Sequence, residues 1–287
     1  MAALAEITTE HIIFGYSYSN KPNKDYQLHC HNFFEIYYFL EGDVDYLVEG
    51  KHYKPVPHSL LLLAPNVFHG VRINNENTYR RIALHFYPEL LSLERRTLLL
   101  SVFPGTARDD SKTIYYEGMA KEKFYPFLEA LIECAVLPPD LQSAMVPVYV
   151  EALLSRIRVC GGRSIPPDRK EGSSETINQV IAYLNEQFTS QITLDLVSEK
   201  FCLSKHHLNK VFRKATGTTL WDYLSYKRVI YAKQLLMGGH SAEEASRMSG
   251  FSDYSAFYRA YRKITGNSPV KDRGTAFPFP LVNKSII

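Results

Sequence analysis

Apolar and polar positions over the last hundred residues follow a helical rhythm that occurs twice. Leu194, Val197, Ser198 and Phe201 recur at helical spacing, and Leu203 then breaks the series. Ser204 restarts it as an expected N-cap, since a serine hydroxyl can satisfy free backbone N–H groups at a helix start. Leu208, Val211 and Phe212 form the apolar stripe that follows. The pattern then returns: Ala242 to Met248 reads as a short helix, Gly250-Phe251-Ser252 as a turn and Asp253 as a second N-cap. Phe257, Ala260, Tyr261 and Ile264 give the second stripe. Lys210-Val211-Phe212-Arg213-Lys214-Ala215-Thr216-Gly217 is echoed by Arg259-Ala260-Tyr261-Arg262-Lys263-Ile264-Thr265-Gly266. A short helix, a tight turn and a capped basic helix make a helix-turn-helix unit. Two tandem copies, each closing on Thr-Gly, are far more specific than one.

The remaining periodicity frames these units. Glu175 to Phe188 reads as a helix carrying Ile177, Val180, Ile181 and Leu184, and Trp221 to Met237 reads as a helix connecting the two units. Residues 26–87 instead show short apolar and aromatic runs separated by turn signals such as Glu41-Gly42-Asp43, Glu49-Gly50-Lys51 and Ala64-Pro65-Asn66. Several short strands at this spacing predict a small barrel or jelly roll. Helices are expected over Pro88 to Leu100, over Lys121 to Val136, and from Pro147, placed in a first turn, to a stop at Gly161-Gly162. Residues 161–174 are polar and rich in Gly and Pro, as an interdomain linker would be. The expected fold is therefore a two-domain chain. Residues 1–160 form an all-β barrel with appended helices, 161–174 a linker, and 175–275 an all-α double helix-turn-helix domain. The tail from Phe277 has no assignable pattern.

Composition adds an asymmetry. Residues 174–287 hold 15 Lys and Arg against 9 Asp and Glu, a net +6, whereas the chain as a whole is +3. A basic C-terminal part beside a mildly acidic N-terminal part suits a DNA-contacting module attached to a module of another kind. The first residues lack a basic segment followed by a long apolar run, so no secretory signal is expected. Leu60-Leu61-Leu62-Leu63 is far too short to span a bilayer. Cys30, Cys134, Cys160 and Cys202 are scattered without Cys-x-x-Cys spacing, which suits reduced thiols in a cytoplasmic protein.

The paired units resemble the DNA-binding domain of AraC-type transcription regulators. Leu194, Ser204, Leu208, Lys210, Phe212 and Gly217 carry the resemblance in the first unit. Gly250-Phe251, Asp253, Phe257, Arg259, Tyr261, Lys263, Gly266, Ser268-Pro269 and Arg273 carry it in the second. Cys202 stands where that family usually has Gly, and Ser198 and Ser246 where it usually has Ala. Ser204 caps a first recognition helix exposing Lys205, His206, Asn209 and Lys210; Asp253 caps a second exposing Tyr254, Ser255, Tyr258 and Arg259. The resemblance implies that His206, Asn209 and Lys210 face base edges in one stretch of major groove, and Tyr254, Ser255 and Arg259 in the next. Lys205, Arg213, Lys214, Arg262 and Lys263 are expected at phosphates, or as solvating charge.

The strand region carries its own chemistry. In an unbroken strand, His29, His31, Phe33, Glu35, Tyr37 and Phe39 share one face, and His69 follows Pro65 at a later strand start. His-x-His, Glu, Gly and a later His resemble the cupin fold, whose metal-binding members ligate a divalent ion with such residues. His29, His31, Glu35 and His69 are therefore candidate metal ligands, and with Tyr37 they are candidate ligand-binding residues. The alternative is a pocket without metal, whose polar groups hydrogen-bond a small organic ligand or one another. The expected protein is a ligand-responsive transcription regulator without enzymatic activity. It would sense a sugar or other small metabolite and bind a double-stranded DNA operator as a homodimer, with RNA polymerase a candidate partner and no membrane. The competing expectation is a metal-dependent cupin enzyme, an isomerase or dioxygenase, using His29, His31, Glu35 and His69.

Overall fold

The computed structural model describes residues 2–23, 26, 28–104, 114–117, 121–160 and 175–274. The expected linker, 161–174, and the tail from 275 lie outside them. The N-terminal part has strands β1 (Ala2–Thr8), β2 (Ile12–Ser19), β3 (Phe34–Glu41), β4 (Val44–Val48), β5 (Lys51–Tyr53), β6 (Leu60–Leu63), β7 (His69–Ile73), β8 (Tyr79–Phe86) and β9 (Tyr115–Tyr116). They form a six-stranded sheet in the order β1-β2-β8-β3-β6-β9 and a three-stranded sheet in the order β5-β4-β7. The pairings are antiparallel.

Both faces of the large sheet are buried, which explains why its strands read as nearly continuous apolar runs. Along β3, Tyr37 and Phe39 join Tyr46, Val48, Leu61, Leu63 and Tyr79 in the core between the sheets. Ile36 and Tyr38 point the other way and share a second core with Leu60, Leu62, Ile82 and Leu84. Helices α1 (Leu93–Leu100), α2 (Lys121–Cys134) and α3 (Pro139–Cys160) cover that outer face. Each fully buried Leu, Ile or Phe there contributes about 1.5–3 kcal/mol.

Three expectations are corrected. The strand through His29 is broken: His29 makes an isolated antiparallel bridge with His69, and β3 begins only at Phe34. The helix expected over Pro88 to Leu100 is divided. A 3-10 turn (Pro88–Leu90) ends at Leu91, which is extended, and Ser92 precedes α1 with its N–H donated to buried Glu151 at 2.7 Å. Pro147 does not open its helix; α3 starts at Pro139, where a missing N–H costs nothing, and runs on through Pro147. An interior proline costs about 3 kcal/mol. Here the buried stripe of Val146, Val150, Leu153, Leu154 and Ile157 holds the helix on both sides of it.

The C-terminal part is helical: α4 (Glu175–Gln187), α5 (Leu194–Lys200), α6 (Lys205–Thr216), α7 (Leu220–Met237), α8 (Ala242–Met248) and α9 (Tyr254–Thr265). The caps are where local chemistry places them. Thr193 accepts from Leu196 N–H, Ser204 from His207 N–H at 3.3 Å, and Asp253 from Ala256 N–H at 2.7 Å. Ser241 and Glu244 form a reciprocal capping box at α8. The sequence repeat is also a repeat of detail. Gly217 and Gly266 both end their helices at φ 76°, and the preceding Thr216 and Thr265 hydroxyls each donate to the carbonyl four residues back at 2.8 Å. The α5–α6 unit is built around Leu208 and Phe212, and the α8–α9 unit around Phe257 and Tyr261. No described helix is long and apolar enough to cross a membrane.

Candidate functional site

At the barrel end, the His29–His69 bridge brings two separate chain segments together. His29, His31, Glu35 and His69 each offer a ligand atom, and these atoms lie within 4.8 Å of one another. Glu35 is buried at the start of β3, and its Oε2 is the focus. His31 Nε2 is 3.0 Å away, His69 Nε2 2.9 Å and His85 Nε2 3.4 Å. The His69 contact is an ion-pair distance whose angle is too poor for a hydrogen bond.

The outer nitrogens fix the tautomers. His31 Nδ1 lies 3.1 Å from the Phe33 carbonyl and His69 Nδ1 2.8 Å from the Val67 carbonyl. A carbonyl oxygen only accepts, so each Nδ1 carries the hydrogen. Each Nε2 is then either a bare lone pair or, with a second proton, cationic. Burial pulls the His31 pKa down to about 4, against the raising effect of its hydrogen bond to Glu35. Burial would push Glu35 up, but His85, His69 and the His31 hydrogen bond outweigh it and hold the carboxyl well below its ordinary value. A neutral His31 therefore turns a lone pair toward a carboxylate, and the centre calls for positive charge. Metal-ligating histidines are oriented in the same way, with the outer N–H donated to a carbonyl. The donor set suits a divalent ion that accepts imidazole and carboxylate together.

Tyr37 stands apart from this group. Its hydroxyl bonds to Tyr79 at 3.0 Å and its ring packs on Tyr46 at 4.6 Å. Sequence reasoning missed His85 and Arg81. Both lie on β8, where Tyr79, Arg81, Ala83 and His85 alternate with apolar Ile82, Leu84 and Phe86, and His85 pairs directly opposite Glu35. The period-two signal was present but lay more than fifty residues from the His-x-His segment.

The second site is a surface. Lys205, His206 and Lys210 are exposed on α6 and Asn209 is half-buried; on α9, Tyr254, Ser255 and Arg259 are exposed and Tyr258 is half-buried. Ser204 is exposed but its oxygen accepts the capping bond. Lys205 pairs with Asp195, and Lys263 Nζ lies 3.7 Å from Asp222 Oδ1. Both recognition helices thus bury one apolar stripe and present a polar, largely cationic face.

A β-structured domain with a polar interior cluster, joined to two helix-turn-helix units, defines a class of two-domain DNA-binding proteins. The comparisons agree: a family model described as AraC-like ligand binding domain matches residues 13–136, and one described as Helix-turn-helix domain matches residues 197–274. The chain belongs to the AraC family. It is 30% identical over 148 residues to the uncharacterized HTH-type transcriptional regulator YijO of Escherichia coli strain K12, covering 51% of this chain and 50% of that one. It is 31% identical over 131 residues to the HTH-type transcriptional activator RhaS of Salmonella schwarzengrund, covering 45% and 47%. The chain thus spans about half the length of these curated relatives. A crystal structure of ToxT from Vibrio cholerae O395 aligns over 92% of this chain and 97% of that one, at 12% identity and a TM-score of 0.38.

Proposed function

We propose that the protein is a ligand-responsive, sequence-specific DNA-binding transcription regulator with no enzymatic role. The observation that carries this reading is the pair of capped basic helices α6 and α9, matched in cap, apolar stripe and closing Thr-Gly. Helices of this kind enter successive segments of the major groove about 34 Å apart, one turn of DNA. Selection from a random duplex pool should enrich one motif containing two recognition segments at that spacing. A pool that stays unenriched while the protein remains folded contradicts sequence-specific binding.

The effector site in this reading is the His29, His31, Glu35, His69 and His85 cluster. A divalent cation held there would supply the positive charge that Glu35 and the imidazoles call for, and would present open positions to the hydroxyls of a sugar or other small oxygen-rich metabolite. Elemental analysis after chelator-free purification should return near-stoichiometric metal, lost in His31→Ala. Metal turnover chemistry without any enriched DNA motif would instead favour a metal-dependent enzyme.

The active species in this reading is a homodimer. Leu141, Val148 and Val159 are 45%, 62% and 77% exposed along α3. With Ala144 and Ser155, also exposed, they form one strip at the three- and four-residue spacing of a helix seam. A second copy of the same helix is the partner such a strip fits.

A further inference from the structure

The segments that supply the pocket have a second face. His29 and His31 turn toward the cluster, while Cys30 between them is buried in the core of the first helix-turn-helix unit with Ile181, Phe212 and Tyr223. The same alternation holds where His69 faces the cluster. Its neighbour Phe68 packs on Tyr223 and Tyr226 of α7, with ring centroids at 4.7 and 5.8 Å. Leu28 closes over the end of α6, so near that a Cβ on Gly217 would meet it at 2.8 Å.

Glu49 fastens this contact. It sits in the two-residue turn between β4 and β5, at φ 46° beside Gly50 at φ 79°. Two positive φ angles define the hairpin turn that favours Asn, Asp or Gly, so a Glu there needs another reason. Its carboxylate accepts from Lys227 Nζ at 2.9 Å, from Asn185 Nδ2 at 3.0 Å, from the Tyr223 hydroxyl and from Phe68 N–H at 2.8 Å. Lys227 also donates to the Asn66 carbonyl at 3.0 Å. The Glu49 and Lys227 side chains are 9% and 8% exposed. Burial would raise the Glu49 pKa, but Lys227 and the hydrogen bonds hold it below its ordinary value. The second unit has no such fastening: among the described residues, its core of Val229, Leu236, Ala245, Phe257 and Tyr261 includes no side chain from the β domain.

We propose that the β domain and the first helix-turn-helix unit move as one body locked by Glu49 and Lys227, so that pocket occupancy is read out through α6 while α9 keeps its own freedom. The trigger rests on the effector-site reading above; the lock does not.

Cys30 reports the lock, because its thiol is 3% exposed and covered from the α7 side. In the full chain, N-ethylmaleimide labelling is followed peptide by peptide, with Cys134, buried in the β-domain core, as the folding control. Lys227→Met leaves the Glu49 carboxylate buried without its cation. It should speed Cys30 labelling by about tenfold or more, as expected of a local opening, with Cys134 unchanged. Adding Glu49→Gln to Lys227→Met removes the stranded charge and should restore slow labelling. Cys30 labelling at the wild-type rate in Lys227→Met overturns the lock. Should Lys227→Met also expose Cys134, the same comparison is made with Glu49→Gln alone, and unchanged Cys30 labelling there overturns the lock equally. The readout is tested with Zn2+ and amide hydrogen exchange. Zn2+ should alter exchange in the β domain and in α4, α6 and the first half of α7, leave α8 and α9 unchanged, and stop at the β domain in Lys227→Met. An effect confined to the β domain in the wild type, or equally strong in α9, overturns the readout. Zn2+ that leaves the β-domain amides unchanged overturns the trigger, and the lock then stands or falls on Cys30 labelling.

Discussion

Cys202 has φ 52° in the turn between α5 and α6, and Gly250 has φ 89° at the matching place between α8 and α9. A side chain in left-handed backbone costs about 1–2 kcal/mol, part of which glycine returns through its greater freedom in the unfolded chain. Cys202→Gly should therefore raise unfolding stability by about 0.5–1 kcal/mol in urea titration; a loss would mean that the thiol makes a contact worth more than the strain. Gly250 has no such latitude, because a Cβ would lie 2.6 Å from the Thr189 carbonyl oxygen. Gly250→Ala should cost about 2–3 kcal/mol. The pocket gives a second prediction at this scale. His31 titrates near 4 in the folded protein against an ordinary 6.5, so its contribution to stability is complete above pH 6.5 and is lost as the pH falls toward 4. Glu35, held below its ordinary value, acts in the same direction at lower pH still. Thermal melts of the metal-free protein should fall steadily from about pH 7 to about pH 4.5, and His31→Asn should flatten that slope. A slope unaltered in His31→Asn would remove His31 as its source.

Elements differ in how much of them the sequence alone discloses. The caps at Thr193, Ser204, Ser241 and Asp253 were legible because a cap needs only its own helix start. The break in the strand before Phe34 was not, because alternation continues through His29 and His31 although the backbone leaves the sheet. Four of the five pocket groups could be read from His-x-His, Glu and a later His. His85 required the register of β8 against β3. Glu49 read only as part of a turn, since its partners Asn185 and Lys227 lie 136 and 178 residues further along the chain. The recognition helices carry the prediction for this scale. Lys263 is exposed in the last turn of α9 and meets Asp222 only at 3.7 Å. As a phosphate contact, its loss in Lys263→Ala should weaken all DNA sequences alike and reduce the salt slope by about 1. A change in sequence preference would place Lys263 at a base instead.

At the scale of the whole molecule, two helix-turn-helix units share α7, and only the first is fastened to the β domain. If α3 forms the seam between copies, Val148→Lys should shift the protein toward monomer in sedimentation without changing its melting behaviour. An unchanged dimer would place the interface elsewhere. The central claim is that α6 and α9 read bases in adjacent segments of the major groove. It is tested most directly by titrating the wild type, Lys210→Ala and Arg259→Ala against the selected operator, a full set of its single-base variants, and random duplex. Each substitution should cost about 1–3 kcal/mol on the operator and erase discrimination at one position, the two positions lying about one helical turn apart. Equal loss of affinity for every variant and for random DNA would contradict base reading and make Lys210 and Arg259 backbone contacts.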